Sequence, residues 1–170
     1  MSSLCDLFNR GRDGGAVLMS EFSIHDLFIA LVGFHIVTGA TGAVSFWVPV
    51  IGREPKPMTA NYETAVRLNR VDMAMIDGEL AGLIETIDRS DHLLIENVAV
   101  ASRRHRQGIG RALIAYAEGV AKEAGYPEVR LYTNQRFEAN VQLYLKLGYA
   151  IDREETSELG VTVYMSKRLT

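Results

Sequence analysis

The sequence predicts a mixed α/β fold on two observations. From about residue 70 to the C-terminus, apolar runs of strand length alternate with segments of helical periodicity, and glycine or proline marks the changes. The chain's 170 residues, 48% hydrophobic and 23% charged, suit one globular domain. That length buries about two thirds of the unfolded surface without a disulfide or a metal.

Three prolines, Pro49, Pro55 and Pro57, precede a short helix over Asn61–Asn69. Two strands follow, Val71–Ile76 and Leu80–Ile87, joined at Asp77-Gly78, a dipeptide that supplies the positive φ values of a tight hairpin. Met73 and Met75 fall on one face of the first of these strands. Asp88 to Asp91 is polar turn material, and Leu93–Val100 is a third strand. Ile109, Ala112, Leu113, Tyr116, Ala117, Val120, Ala121 and Ala124 then recur at three- and four-residue spacing, one face of a helix stopped by Gly125 and Pro127. A strand over Val129–Tyr132 comes next, then a helix over Phe137–Leu147 with Gly148 as its stop. The chain closes with a hairpin, Ala150–Glu155 and Val161–Lys167, turning around Glu158 to Gly160.

The first 52 residues differ from the rest. Leu27 to Gly52 contains no Asp, Glu, Lys or Arg, and a run of that length qualifies as a transmembrane candidate. Three readings stay open. In one, Ala16–Met19 is a strand and Ser23 to Asp26 a capping box for a helix to about Val37, both part of the domain. In the second, Ile24–Ile51 spans a membrane, and Arg53 and Lys56 keep the remainder on the cytoplasmic side. In the third, the leader is foreign to the fold. The expected division is therefore residues 1–52 and residues 53–170.

Function classes narrow quickly. Cys5, the single cysteine, excludes a disulfide scaffold and a cysteine-rich zinc site, and fits a reducing compartment. A formal charge of −3 argues against a nucleic-acid partner held by a basic surface. His25 and His35 stand in the apolar segment without a ligand set at metal spacing, so no metal is expected.

The chemical signal lies between the third strand and the long helix, in Val98-Ala-Val-Ala-Ser-Arg-Arg-His-Arg-Gln-Gly-Ile-Gly-Arg111. A buried strand feeds a basic, glycine-containing loop that opens directly into a helix. The first amides of a helix lack internal partners, and the dipole there favours negative charge. Gly108 and Gly110 allow close approach to the backbone, and Arg103, Arg104, Arg106 and Arg111 add positive charge. A diphosphate is the ligand this arrangement suits. A dinucleotide fingerprint would need glycine where Leu113 stands, and a Walker loop would need Gly-Lys-Ser/Thr; both patterns fail.

These residues resemble the GNAT superfamily of acetyl-CoA-dependent N-acyltransferases. The family's phosphate loop, Arg/Gln-x-x-Gly-x-Gly/Ala after a valine-rich strand, is matched by His105-Arg106-Gln107-Gly108-Ile109-Gly110, with His105 a departure from Arg or Gln. A later family signature is matched by Asn140-Val-Gln-Leu-Tyr144-Leu-Lys-Leu-Gly148-Tyr149. The likeness covers about residues 53–170. It implies a mostly antiparallel sheet splayed at the acetyl-CoA groove, with helices on both faces. It also implies acetyl-CoA as co-substrate, bound by residues 105–111 with Arg111 at the helix start, and the pantetheine arm pairing along Val98 and Val100.

The reaction so implied is direct attack of a primary amine on the thioester, in a ternary complex. Tyr144 matches the tyrosine that protonates the leaving sulfur, although a helix-face aromatic in the core is the alternative. Asn140, one turn earlier on the same face, would hold the pantetheine, with Asn134 as competitor. Glu96 is the candidate base because an isolated carboxylate in the apolar strand Leu93–Val100 is costly without a task or a partner. A structural hydrogen bond would be such a partner. His92 and Tyr132 are the reserves. The expected acceptor is a small-molecule or protein amine, the expected location cytoplasmic or membrane-anchored through residues 24–51, and a homodimer is allowed. A CoA-binding sensor without turnover is the alternative to an enzyme.

Overall fold

The structure is a computed structural model that describes residues 17–19, 68–158 and 160–170. Asp77 and Gly78 both take positive φ, 55° and 75°, and close the turn between β2 (Arg70–Ile76) and β3 (Glu79–Asp88) as the dipeptide predicts. The chain then runs through β4 (Leu93–Val100), a 3₁₀ turn (Ser102–Arg104), α1 (Ile109–Glu123), β5 (Glu128–Asn134), α2 (Glu138–Lys146), β6 (Ala150–Ser157) and β7 (Gly160–Arg168). Element ends differ from the sequence reading by no more than two residues, and β4 matches at both ends.

Ahead of these lies β1 (Val17–Met19), which pairs antiparallel with β2 through Val17 and Met75, Leu18 and Ala74, Met19 and Met73. The strand expected at residues 16–19 is therefore present. The helix expected to about Val37 and the span over Ile24–Ile51 lie outside the described residues, as does all but the end of the helix over 61–69. No helix among the described residues is long and apolar enough to cross a membrane.

The seven strands form one sheet in the order β1-β2-β3-β4-β5-β7-β6. Every neighbouring pair is antiparallel except β4 and β5, which run parallel and share only three paired positions, ending at Ile95 and Leu131. A sheet that is mostly antiparallel and parts in the middle is the fold class that the family resemblance implies.

The core is one cluster in which Ile84, Leu93, Ile95, Leu113, Ile114, Val129, Val163 and Met165 are nearly inaccessible. Side chains of this size are worth roughly 1.5–3 kcal/mol each when fully buried. α1 lies directly on β3 at Gly82, where an added Cβ would stand 2.8 Å from the Ala99 carbonyl and 3.1 Å from Leu113 Cδ1. The helix is also tied to β2: Tyr116 donates to Asp72 Oδ1 at 3.1 Å, and Arg70 Nε donates to Asp72 Oδ2 at 2.8 Å. Strand alternation sends Met73 and Leu83 to the opposite face, and they are buried too.

Candidate active site at the parted strands

Past Ile95 and Leu131 the two central strands no longer pair, so β4 presents an inner edge with no strand partner among the described residues. The edge's polarity follows from one hydrogen bond. The Ala101 amide donates to the Ala81 carbonyl on β3 at 2.9 Å. Backbone groups alternate along an antiparallel strand, so Ala99 and Asn97 also turn toward β3 while Val98 and Val100 turn toward the gap. Their side chains pack against the core cluster.

A bulge sits at the start of this edge. Asn97 pairs with Glu85 and Ile95 with Thr86, which leaves Glu96 as the extra residue on β4. The bulge is invisible in the sequence, because a one-residue insertion leaves no mark on a short apolar run. It has two effects: the strand bends away from β5, and Glu96 is brought to the same face as Asn97 and Glu85.

The chain leaves β4 through the 3₁₀ turn and reaches α1 by way of Arg106 and Gly108, at φ 63° and 83°. The first helical bond is from the Ala112 amide to the Gly108 carbonyl at 3.0 Å. The amides of Arg106, Gln107, Gly108, Ile109, Gly110 and Arg111 have no acceptor among the described residues. Nothing stands within 4 Å of a Cβ built on Gly108, and only Val100 Cγ2, at 3.6 Å, meets one on Gly110. Ile109 differs from its neighbours: its side chain is buried in the core and only its amide belongs to the loop.

The charge around the loop departs from expectation. Arg103 binds Glu79 at 3.0 Å, and Arg104 lies 3.7 Å from Asp77 and 3.8 Å from Glu79. Two of the four arginines are thus partnered by the β2–β3 hairpin and anchor the turn to it. Arg106 and Arg111 make no ion pair among the described residues and carry the loop's free charge. His105 also has a definite role, its Nε2 lying 2.9 Å from the Val100 carbonyl, a contact that ties the loop to the end of β4. Gln107 reaches back to the Arg103 carbonyl at 3.3 Å.

On the face opposite α1 the side chains form a row across the strands. Tyr132, on β5, donates a hydrogen bond to Glu96 Oε1 on β4. Tyr132 pairs with Tyr164 on β7, ring centroids 6.0 Å apart, and Tyr164 pairs with Arg153 on β6, whose guanidinium lies 3.8 Å from the ring centre. Arg153 is itself bound to Glu155 at 2.7 Å. On the other flank, Glu85 is 7% exposed and accepts from Asn69 Nδ2 at 2.6 Å. Burial pushes the Glu85 carboxyl up from its ordinary value, the Asn69 hydrogen bond opposes this, and the Glu96 charge adds to the rise.

Tyr144 is half-buried on α2, its ring edge-on to Tyr149 at 6.0 Å. Burial raises its pKa, which keeps the phenol protonated, and its hydroxyl makes no hydrogen bond among the described residues. Asn140, one turn earlier, uses its backbone amide to bind the Phe137 carbonyl at 2.8 Å and leaves its side chain unengaged among the described residues. Asn134, its competitor, is committed locally: its Oδ1 accepts from the Arg136 amide at 3.0 Å. His92 is tied to Asp91 at 2.7 Å in the loop before β4. Among the described residues no group of three or more His, Cys, Asp or Glu is placed to hold a metal ion.

The sequence reading missed Glu85, Asn69 and Tyr164. For Glu85 the signal was present, since it is an isolated carboxylate in an apolar strand, as Glu96 is.

The site thus joins a parted parallel pair and an inner strand edge to an amide-lined loop at a helix start. The chain belongs to the acetyltransferase (GNAT) family, whose model matches residues 43–149. No curated protein matches the chain by sequence. Among solved structures, the chain is similar to nourseothricin acetyltransferase, with 25% identity and a TM-score of 0.56 over 59% of this chain and 65% of that one. It is similar in fold to PaiA N-acetyltransferase from Thermoplasma acidophilum in complex with coenzyme A, with 20% identity and a TM-score of 0.65 over 91% and 99%. The ribosomal-protein-S18-alanine N-acetyltransferase from Escherichia coli matches with 18% identity and a TM-score of 0.67 over 90% and 93%. The alignment therefore spans less than two thirds of the nourseothricin enzyme's length and nearly all of the other two.

Proposed function

We propose that this protein is an N-acetyltransferase that moves an acetyl group from acetyl-CoA to a primary amine by direct attack in a ternary complex. Six consecutive amides without an acceptor among the described residues, Arg106 to Arg111, at the mouth of the gap between β4 and β5 carry the reading. Such a row suits a diphosphate, and Arg106 and Arg111 add charge beside it. The Val98 backbone and the Val100 amide offer an edge for the pantetheine amides, and the Asn140 side chain, unengaged among the described residues, suits holding them. The family and the coenzyme A complex of a similar fold support the same ligand.

The chemistry needs one proton removed and one supplied. Glu96 takes the proton from the attacking nitrogen as the C–N bond forms. Tyr144 gives its proton to the sulfur as the C–S bond breaks. The half-buried Glu96, held against Tyr132 where the β4–β5 pairing ends, suits the first task, and a phenol kept protonated by burial suits the second. No step calls on a metal. Use of acetyl-CoA favours a cytoplasmic location.

The test pairs two measurements on the full chain: calorimetric binding of acetyl-CoA and release of CoA thiol against a panel of primary amines. Binding with amine-dependent thiol release is expected. Binding without release under any amine would contradict the enzyme reading and favour a CoA sensor.

A further inference from the structure

Glu96 and Tyr132 occupy a singular place in the sheet. They directly follow Ile95 and Leu131, the last residues at which β4 and β5 are paired. Where the backbone ladder stops, the Tyr132 hydroxyl donates across the opening to Glu96 Oε1, so a side-chain clasp replaces the ladder at the apex of the gap. The bulge makes the clasp possible by turning Glu96 out of register. The Tyr132 ring is held in turn by Tyr164, across the β5–β7 pairing, at 6.0 Å.

We propose that Tyr132 is the positioning residue for the catalytic base: its hydroxyl fixes the Glu96 carboxylate at the apex of the gap, in the orientation from which that carboxylate takes the acceptor's proton. The inference rests on Glu96 being the base. Tyr132 keeps its own proton throughout; the N–H bond that breaks is the acceptor's, and the O–H bond that forms is on Glu96.

Two further observations support this. Burial, and then the hydrogen bond to Glu96, push the Tyr132 phenol well above its ordinary range, so it is a donor at every working pH. The groups that face the pair among the described residues are Glu85 from β3, Tyr164 from β7, and Arg153 with Glu155 from β6 beyond it. Arg153 is already bound to Glu155, so Tyr132 supplies the hydrogen bond to Glu96 that no cation in the row provides.

The experiment is steady-state kinetics for the amine at saturating acetyl-CoA, on the full chain, with kcat read apart from KM. Tyr132→Phe keeps the ring and its contact with Tyr164 and removes one hydroxyl. The kcat should fall about three- to tenfold, with KM for acetyl-CoA and the melting temperature near wild type. Because Tyr132 acts through Glu96, the same substitution made on top of Glu96→Gln should cost nothing further. An equal loss in that background, or an unchanged kcat in Tyr132→Phe alone, would overturn the proposal. If Glu96→Gln alone leaves kcat unchanged, the base assignment fails and the proposal with it.

Discussion

Glu85 and Glu96 stand on neighbouring strands at one bulge, and their environments differ. Glu85 is buried against an amide, and burial raises its pKa from 4.5. A carboxyl whose folded value exceeds its unfolded one favours folding in its protonated form. That contribution is full below about pH 4.5 and is lost as pH rises through the raised folded value. Glu85→Gln, which keeps an acceptor for Asn69 and carries no charge, should raise the melting temperature at pH 7 by roughly 2–4 °C and flatten the loss of stability above pH 4.5. Thermal melts across pH check it. His105 invites a different substitution. Its ring nitrogen binds the Val100 carbonyl, and a glutamine or arginine side chain can donate to the same oxygen. His105→Gln should therefore leave acetyl-CoA binding near wild type, while His105→Leu should weaken it several-fold with kcat unchanged, as read from KM for acetyl-CoA. Tyr144→Phe removes the proposed proton donor with little volume, and kcat should fall by about 10²–10⁴ with modest change in KM. An unchanged kcat would return Tyr144 to the core. Residue type and motif made Glu96 and Tyr144 candidates. The hydrogen-bond partner of Glu96 was not legible, because Tyr132 lies 36 residues away and no local pattern links the two.

The strands and helices were readable because their periods are strong and their stops explicit: Asp77-Gly78 for the hairpin, Gly125 and Gly148 after the helices. Those glycines take φ of 79° and 90°, the left-handed values a helix stop requires. Bulges were not readable, since a period-two pattern does not reveal which residue of a run is the extra one. Close packing was equally hidden at Gly82, which looks like a weak strand residue and is the point where α1 meets the sheet. Gly82→Ala would press a methyl against the Ala99 carbonyl and two α1 side chains, and should destabilise the fold by about 1–3 kcal/mol in denaturant titration. The two loop glycines separate folding from binding. Gly108 holds φ 83°, so any side chain there strains the backbone, whereas a methyl at Gly110 meets only Val100 at ordinary contact distance. Gly110→Ala should fold normally and weaken acetyl-CoA binding where phosphate approaches the helix start. Equal affinity would remove Gly110 from the site.

At the scale of the molecule, the candidate site lies at one interruption. Among the described residues six strand pairings hold the sheet, and the one parallel pairing, between β4 and β5, is the shortest of the central ones. The inner edge of β4, the amide loop and the Glu96–Tyr132 contact all lie at that interruption. β1 pairs with β2 at the sheet's end, so residues 17–19 belong to the fold. Deleting residues 1–46 would remove that strand and leave β2 as a raw edge, and the truncated chain should aggregate where the full chain does not. The central claim is that acetyl-CoA lies in the gap, its diphosphate on the amides of 106–111 and its arm along Val98 and Val100. Residue-resolved amide hydrogen exchange, with and without saturating acetyl-CoA, tests it most directly. Protection should rise at 106–111 and at Val98 and Val100, with little change along β6. Acetyl-CoA binding that leaves those amides exchanging at their free rate, and protects another part of the sheet, would contradict the account.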